Sequence, residues 1–369
     1  MRRVLWSVVS TCLFFGIVEI GTRMVWSPPQ IQNDIDVGMQ LEPHPTRIWA
    51  LHEGREVQFG TNITIDAQGM RQSSVPSQGE RWLLLGDSSF FGHGLADAGT
   101  LHEQLQSQLL GQGYNISVRC GAVPGYSILQ TKIFMEEVGW NLSPKLLLIG
   151  NLWSDNNFDH FVDQEWLDAL QPESTLQQWL WKSHVFLWLH HSLRPPRRTE
   201  KGDPHQKISW IKEPYQTGRR RVEVNLYAQT LDELIQEAAV RGVGVVLIQP
   251  ANRYRVEGSV PNATWTPYFE AQRMVASHRG VPIFDVAAYL RVFGMSAEEA
   301  FLDELHPTET ANTHIASGLI FTLQASKWPE QIPLPSKDLS IFDTEIPDPW
   351  SRGVSFQSNT GQDTYNGVK

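Results

Sequence analysis

The chain has 369 residues, of which 41% are apolar and 19% charged, a balance that suits a globular protein and excludes global disorder. Thirty Lys and Arg against forty Asp and Glu leave a net charge of −10, which argues against nucleic-acid binding, since that role calls for a basic domain. The two cysteines, Cys12 and Cys120, exclude a disulfide framework and a Cys-rich zinc site.

At the N-terminus Arg2 and Arg3 precede an apolar run from Val4 to Val18, followed by Glu19 and Arg23. The stretch Val4–Trp26 is long enough to cross a bilayer if Glu19 and Arg23 sit near the far interface. Residues 1–26 are therefore predicted to be a signal anchor, a transmembrane helix with Arg2 and Arg3 in the cytoplasm and the body of the protein outside it. A cleaved signal peptide and a buried soluble helix are the competing readings.

The body alternates strands and helices. Arg81–Gly86 reads as a strand buried on both faces, Thr100–Leu110 as a helix, Ile116–Cys120 as a strand and Ile128–Val138 as a helix. Lys145–Gly150 is a third strand, Leu226–Ala239 a helix and Gly244–Ile248 a fourth strand. A helix over 266–278, a strand over Val281–Asp285 and a helix over His306–Gln324 complete the pattern. Such alternation predicts an α/β fold, an open parallel sheet with helices on both faces, whose ligands bind outside the carboxyl ends of the strands.

Residues with chemical potential gather at those ends. Gly86-Asp87-Ser88-Ser89-Phe90-Phe91-Gly92 follows the first strand, and a Ser at a strand-to-helix turn either presents a nucleophilic hydroxyl or caps the helix. Gly121-Ala122-Val123-Pro124-Gly125 follows the second strand, where glycine lets a backbone N–H approach a ligand. Gly150-Asn151 follows the third, where an Asn amide can donate to a developing oxyanion. Asp303 and His306, three apart, would share one side of a helical turn, with Asp303 orienting the imidazole toward Ser88 or, more blandly, lying at the surface near a helix start. Asp155, Asp159 and His160 are too irregularly spaced to point to a metal, and Gly92-His93-Gly94 lacks the third glycine of a dinucleotide loop. Neither a metal nor a cofactor is expected. Cys120 reads as a small buried residue.

These four blocks, in this order, resemble the SGNH (GDSL) hydrolase family. Residues 37–72, together with Glu19 and Arg23, look like the lead-in of a membrane-anchored bacterial branch of it. The resemblance implies a three-layer α/β/α, flavodoxin-like sheet of about five strands, a β-rich lead-in over 27–80, a hydrolase domain over 81–326 with a helical insert at 160–222, and no cofactor. It also implies Ser88 as nucleophile, His306 as base and Asp303 as its orienting partner. The oxyanion hole would comprise the N–H groups of Ser88 and Gly125 and the amide of Asn151, with Asn156 as rival because Leu152 stands where the family carries Asp. The implied activity is hydrolysis of an O-acyl ester, from a lipid or an acylated glycan. Acyl transfer to a surface polysaccharide and a non-catalytic assembly role are the alternatives.

Six tryptophans fall between residues 153 and 210 (Trp153, Trp166, Trp179, Trp181, Trp188 and Trp210), five of them in the insert, which carries a predicted helix over Pro172–Leu193 with Ser174 as N-cap. It reads as a cap over the sheet, or as an interfacial helix on a membrane or an acyl pocket. Residues 327–369, with repeated prolines, read as a flexible tail.

Overall fold

The computed structural model describes residues 2–25, 41–58, 61–73, 78–159, 162–170, 183–193, 219–258, 263–338, 340 and 342–351. Trp179, Trp181, Trp210, Ser174, His160 and the tail beyond 351 lie outside them.

Helix α1 (Arg2–Val25) is followed by two antiparallel hairpins, β1 (Leu41–His44) with β2 (Ile48–Leu51) and β3 (Gly54–Gln58) with β4 (Thr61–Ile65). The core then runs β5 (Glu80–Leu85), α2 (Ser88–Phe91), α3 (Leu101–Gly111), β6 (Ile116–Cys120), α4 (Ile128–Glu137), β7 (Leu146–Ile149) and α5 (Trp153–Asn156). Next comes β8 (Phe158–Asp159), and the insert after it contributes α6 (Asp163–Leu170), α7 (His184–Leu193) and β9 (Arg219–Arg220). The chain closes with α8 (Val224–Arg241), β10 (Gly244–Gln249), α9 (Arg253–Glu257), α10 (Thr266–Arg279), β11 (Ile283–Asp285), α11 (Val286–Val292), α12 (Ala297–Ala300) and α13 (Glu309–Ala325).

Five parallel strands form the central sheet in the order β6-β5-β7-β10-β11. Trp82–Leu85, Leu146–Ile149 and Val245–Ile248 are buried, so these strands carry continuous apolar runs instead of alternating ones. Helices α3 and α13 pack together, as do α8 with α4 and α10, and the sheet lies between helical layers. The strand order reverses direction between β5 and β7, which opens a crevice at their carboxyl ends. The predicted α/β architecture is thus the observed one.

Two expectations are corrected. Among the described residues no helix is long and apolar enough to cross a membrane, so the transmembrane reading of Val4–Trp26 lacks support. Glu19 and Arg23 break the apolar run, pair at 2.8 Å, and serve a different purpose. Glu19 accepts hydrogen bonds from Ser183 Oγ at 2.7 Å and from the backbone N–H groups of His184 at 2.9 Å and Val185 at 3.2 Å, capping α7 from another helix. Among the described residues the insert helix runs over His184–Leu193, inside the predicted Pro172–Leu193, whose earlier part with Ser174 lies outside them. The second correction concerns the tail. Trp328, Phe342 and Ile346 are buried, the Pro333 carbonyl accepts from Val245 N–H at 2.9 Å, and Asp348 forms a buried ion pair with Arg220, so the described part of 328–351 is packed onto the body.

His102, on the inner face of α3, is fully buried, and burial with the nearby Arg71 charge pushes its imidazole from 6.5 down to about 3. The folded chain then binds fewer protons than the unfolded chain between those values. This contribution to stability is complete above pH 6.5 and is lost as pH falls toward 3. The slope from one such histidine is about 1.4 kcal/mol per pH unit. Urea midpoints recorded across this range should fall less steeply for His102→Leu than for the wild type.

Candidate active site

The site is assembled at the carboxyl ends of β5, β6 and β7 by three loops and closed by a fourth ahead of α13. Asp87, not Ser88, caps α2: its Oδ1 accepts Ser89 N–H at 3.0 Å, while Oδ2 accepts the N–H groups of Trp153 at 3.0 Å and Ser154 at 3.3 Å. This carboxyl is fully buried, and burial raises its pKa against those bonds. Capping by Asp87 leaves the Ser88 hydroxyl available and ties the first loop to the third. The Ser88 N–H stands at the first position of the turn, where a helix offers it no partner.

Asp303 and His306 lie in a loop, not on a helical turn, because α13 begins only at Glu309, with Thr308 Oγ1 accepting Ala311 N–H at 3.1 Å. The loop closes through Leu302 N–H to the His306 carbonyl at 2.9 Å and an antiparallel bridge between Phe301 and Pro307. Asp303 Oδ1 accepts the N–H groups of Leu305 and His306, both at 2.8 Å. Its Oδ2 lies 2.6 Å from His306 Nδ1, and His306 Nε2 lies 2.9 Å from Ser88 Oγ. Burial alone would raise the Asp303 carboxyl. The His306 side chain, its charge and the two backbone N–H groups outweigh burial and hold it well below the usual carboxylate range. An ionised carboxylate only accepts, so Nδ1 carries the proton and Nε2 accepts from the serine hydroxyl. The expected Ser88, His306 and Asp303 are therefore brought together in one hydrogen-bonded line.

Gly125 adopts φ +78°, and a Cβ there would approach Trp49 to 3.1 Å, so glycine suits both its conformation and its neighbour. Val123 N–H donates to the Gly86 carbonyl at 3.1 Å, which fastens the Gly125 loop beside Ser88. Gly150 lets the Phe90 ring pass beneath the third loop, where a Cβ would come within 2.3 Å of it.

Asn151, the expected third oxyanion donor, has partners of its own. It is fully buried, and its side-chain amide donates to Thr131 Oγ1 at 2.9 Å and the Tyr126 carbonyl at 3.4 Å. Its backbone carbonyl accepts from Tyr227 Oη at 2.7 Å and Gln272 Nε2 at 3.2 Å. Through these bonds the residue braces the loops. The rival Asn156 accepts a hydrogen bond from Arg220 Nη1 at its side-chain oxygen, at 2.9 Å. Asn151→Ala should lower stability by about 1–3 kcal/mol through the lost buried hydrogen bonds. The kcat of the folded fraction should fall far less than the 10²–10³-fold typical of a lost oxyanion donor. Denaturation midpoints and turnover measured together check this; a loss of that larger size at unchanged stability would restore Asn151 to the oxyanion hole.

Cys120 is buried, and desolvation pushes its thiol up to about 11, consistent with a packing role. Asp155 Oδ1 accepts Ile128 N–H at 2.8 Å, and burial raises its carboxyl well above the usual range. Among the described residues no group of three His, Cys, Asp or Glu is arranged to hold a metal ion.

Three residues at the site escaped sequence reasoning. The His93 ring lies 4.4 Å from that of His306, centroid to centroid. Burial first, then the His306 charge, pushes it down to about 3, so His306 has a neutral neighbour. The only sequence hint was its place in Gly92-His93-Gly94. Trp49, from the lead-in, and Arg221, at the end of the insert, reach the Gly125 loop from far along the chain, and no local spacing announces them.

No family model matches the chain, nor does any curated protein. Solved structures similar to it include an α/β hydrolase from a Lake Arreo metagenome, with a TM-score of 0.44 and 16% identity over 67% of this chain and 96% of that one. A lipase/acylhydrolase from Enterococcus faecalis overlaps with a TM-score of 0.43 and 13% identity over 71% of this chain and all of that one. A lipolytic protein of the G-D-S-L family from Desulfitobacterium hafniense overlaps at 0.40 and 11%, over 66% of this chain and all of that one. These overlaps are distant, and the chemistry is read from this chain's own side chains.

Proposed function

We propose that the protein is a serine hydrolase that cleaves a carboxylic O-acyl ester through an acyl-enzyme. The observation that carries this reading is the line Ser88 Oγ, His306 Nε2 at 2.9 Å, and His306 Nδ1 to Asp303 Oδ2 at 2.6 Å. Ser88 Oγ attacks the acyl carbon while its proton passes to His306 Nε2. The imidazolium is stabilised by the ionised Asp303. Negative charge on the former carbonyl oxygen faces the N–H groups of Ser88 and Gly125. Collapse of the tetrahedral species breaks the ester C–O bond, and the leaving alkoxide takes the proton from His306. Water then repeats the sequence on the acyl-serine, giving the carboxylic acid and the free hydroxyl of Ser88.

The deciding experiment is labelling with a fluorophosphonate probe, followed by peptide mapping. Modification at Ser88 that disappears in Ser88→Ala supports the reading, and an unlabelled folded protein refutes it. Transfer of the acyl group to a sugar hydroxyl would use the same atoms with a different acceptor. Acceleration of p-nitrophenyl acetate turnover by added glycan, with acyl-glycan as product, would favour it. The location outside the cytoplasm, read from Arg2 and Arg3 ahead of the apolar run, is part of this proposal, and protease accessibility in intact cells tests it.

A further inference from the structure

We infer that Trp49 and Arg221 are the positioning residues that aim the oxyanion donor at Gly125; the inference rests on the reading of Ser88 as nucleophile. The Gly125 N–H belongs to the peptide unit whose carbonyl is that of Pro124. In a trans peptide the N–H and C=O lie in one plane and point in opposite directions, so whatever holds the Pro124 carbonyl also aims the Gly125 N–H. Trp49 Nε1 donates to that carbonyl at 3.1 Å. The next carbonyl, that of Gly125 itself, accepts from Arg221 Nη1 at 2.8 Å. Both peptide planes flanking a glycine, the residue least able to fix its own dihedrals, are thereby pinned. A hydrogen bond to a peptide carbonyl also polarises that unit and strengthens its N–H as a donor.

Each pin is itself held. Ile48, just before Trp49, has φ +68°, a conformation that β-branched residues rarely adopt. Trp49 N–H donates to the Arg47 carbonyl at 2.8 Å, closing a three-residue γ-turn about Ile48. The Trp49 carbonyl accepts from Tyr126 Oη at 2.8 Å, and the Arg47 carbonyl accepts from Gln130 Nε2, also at 2.8 Å. The lead-in is thus docked on the Gly125 loop and α4 with its backbone in a strained form, the kind of outlier that tertiary contacts must maintain. Arg221 pairs with buried Asp163 through two hydrogen bonds of 2.8 and 2.7 Å, and its guanidinium carbon lies 5.4 Å from the Trp49 ring centroid. Asp163 opens α6 near the start of the insert and Arg221 stands at its far end. One ion pair therefore clips the insert at its base and extends a further arm to the Gly125 loop. Lead-in and insert meet at the same glycine.

An oxyanion contact forms in the tetrahedral species and not in the bound ester, so loss of its aim should appear in kcat and leave KM nearly unchanged. The test uses full-length protein, p-nitrophenyl acetate as substrate and an alkyl boronic acid as the tetrahedral mimic. In Trp49→β-(3-benzothienyl)alanine, sulfur replaces the indole N–H with little change of shape. The variant should lose about 10-fold or more in kcat, with KM within about 2-fold and boronate affinity falling in parallel with kcat. Arg221→Ala should show the same pattern, and Arg221→Lys, which keeps a donor, should recover part of it. Should Arg221→Ala not fold, the isostere at position 49 decides alone. Unchanged kcat and boronate affinity in that isostere, or a loss confined to KM, would overturn the inference. Failure of wild-type protein to label at Ser88 would instead refute the underlying reading, so the two failures are distinguishable.

Discussion

Ser88→Ala should lower kcat on p-nitrophenyl acetate on the order of 10⁵–10⁶-fold, the size seen when a serine nucleophile is removed from an otherwise intact triad. Stability should change by no more than about 0.5 kcal/mol, because the residue sits at the site's edge and its hydroxyl faces His306 instead of the core. The cap of α2 survives, since Asp87 provides it. Turnover and denaturation midpoint measured on one preparation separate lost chemistry from lost folding. A variant that retains a wild-type rate would remove Ser88 from the mechanism.

Asp303→Asn should cost about 10³–10⁴-fold in kcat, through the imidazole tautomer. The amide oxygen of Asn can still accept the N–H groups of Leu305 and His306, so the loop keeps its shape. The amide NH₂ then takes the place of the oxygen that meets His306 Nδ1, and it needs an acceptor there. The proton consequently moves to Nε2, which can no longer accept from Ser88. Nitrogen NMR of His306 should report that exchange of tautomers directly. The wild-type carboxyl is held below its ordinary value. Its contribution is present above the unfolded value of 3.8 and is lost only as pH falls through the lower folded value. Acid inactivation of the wild type above pH 4 therefore belongs to other groups. An Asn variant with unchanged rate and tautomer would leave His306 without an orienting partner.

The sheet was legible because its central strands are buried on both faces and say so in unbroken runs such as Trp82–Leu85 and Leu146–Ile149. Helices α3, α4, α8 and α10 were legible through their apolar period, with glycine ending several of them. The short helices α9, α11 and α12 were missed, since one or two turns carry too little periodicity to register. Asp303 and His306 were paired for the wrong local reason: the spacing suggested a helical turn, and the fold supplies a loop closed by backbone bonds.

What the resemblance of its motifs implied is the set Gly125, Asp303 and His306; what the sequence determined by itself is the α/β class, the order of the strands along the chain, and a serine, Ser88, at a strand end. The latter depend on local composition and spacing, which a linear chain displays directly. The tertiary structure decided the rest. It turned Asn151 inward, because the unmet partners were Thr131 and the Tyr126 carbonyl. It set the Glu19 carboxylate on the N-terminus of α7, where the N–H groups of His184 and Val185 needed an acceptor. It also brought Trp49 and Arg221 to the two carbonyls around Gly125, 75 and 96 residues away in the chain. Hydrogen-bond partners at that separation are chosen by where the folded backbone leaves unmatched carbonyl and N–H groups, and no pattern of neighbouring residues encodes that choice.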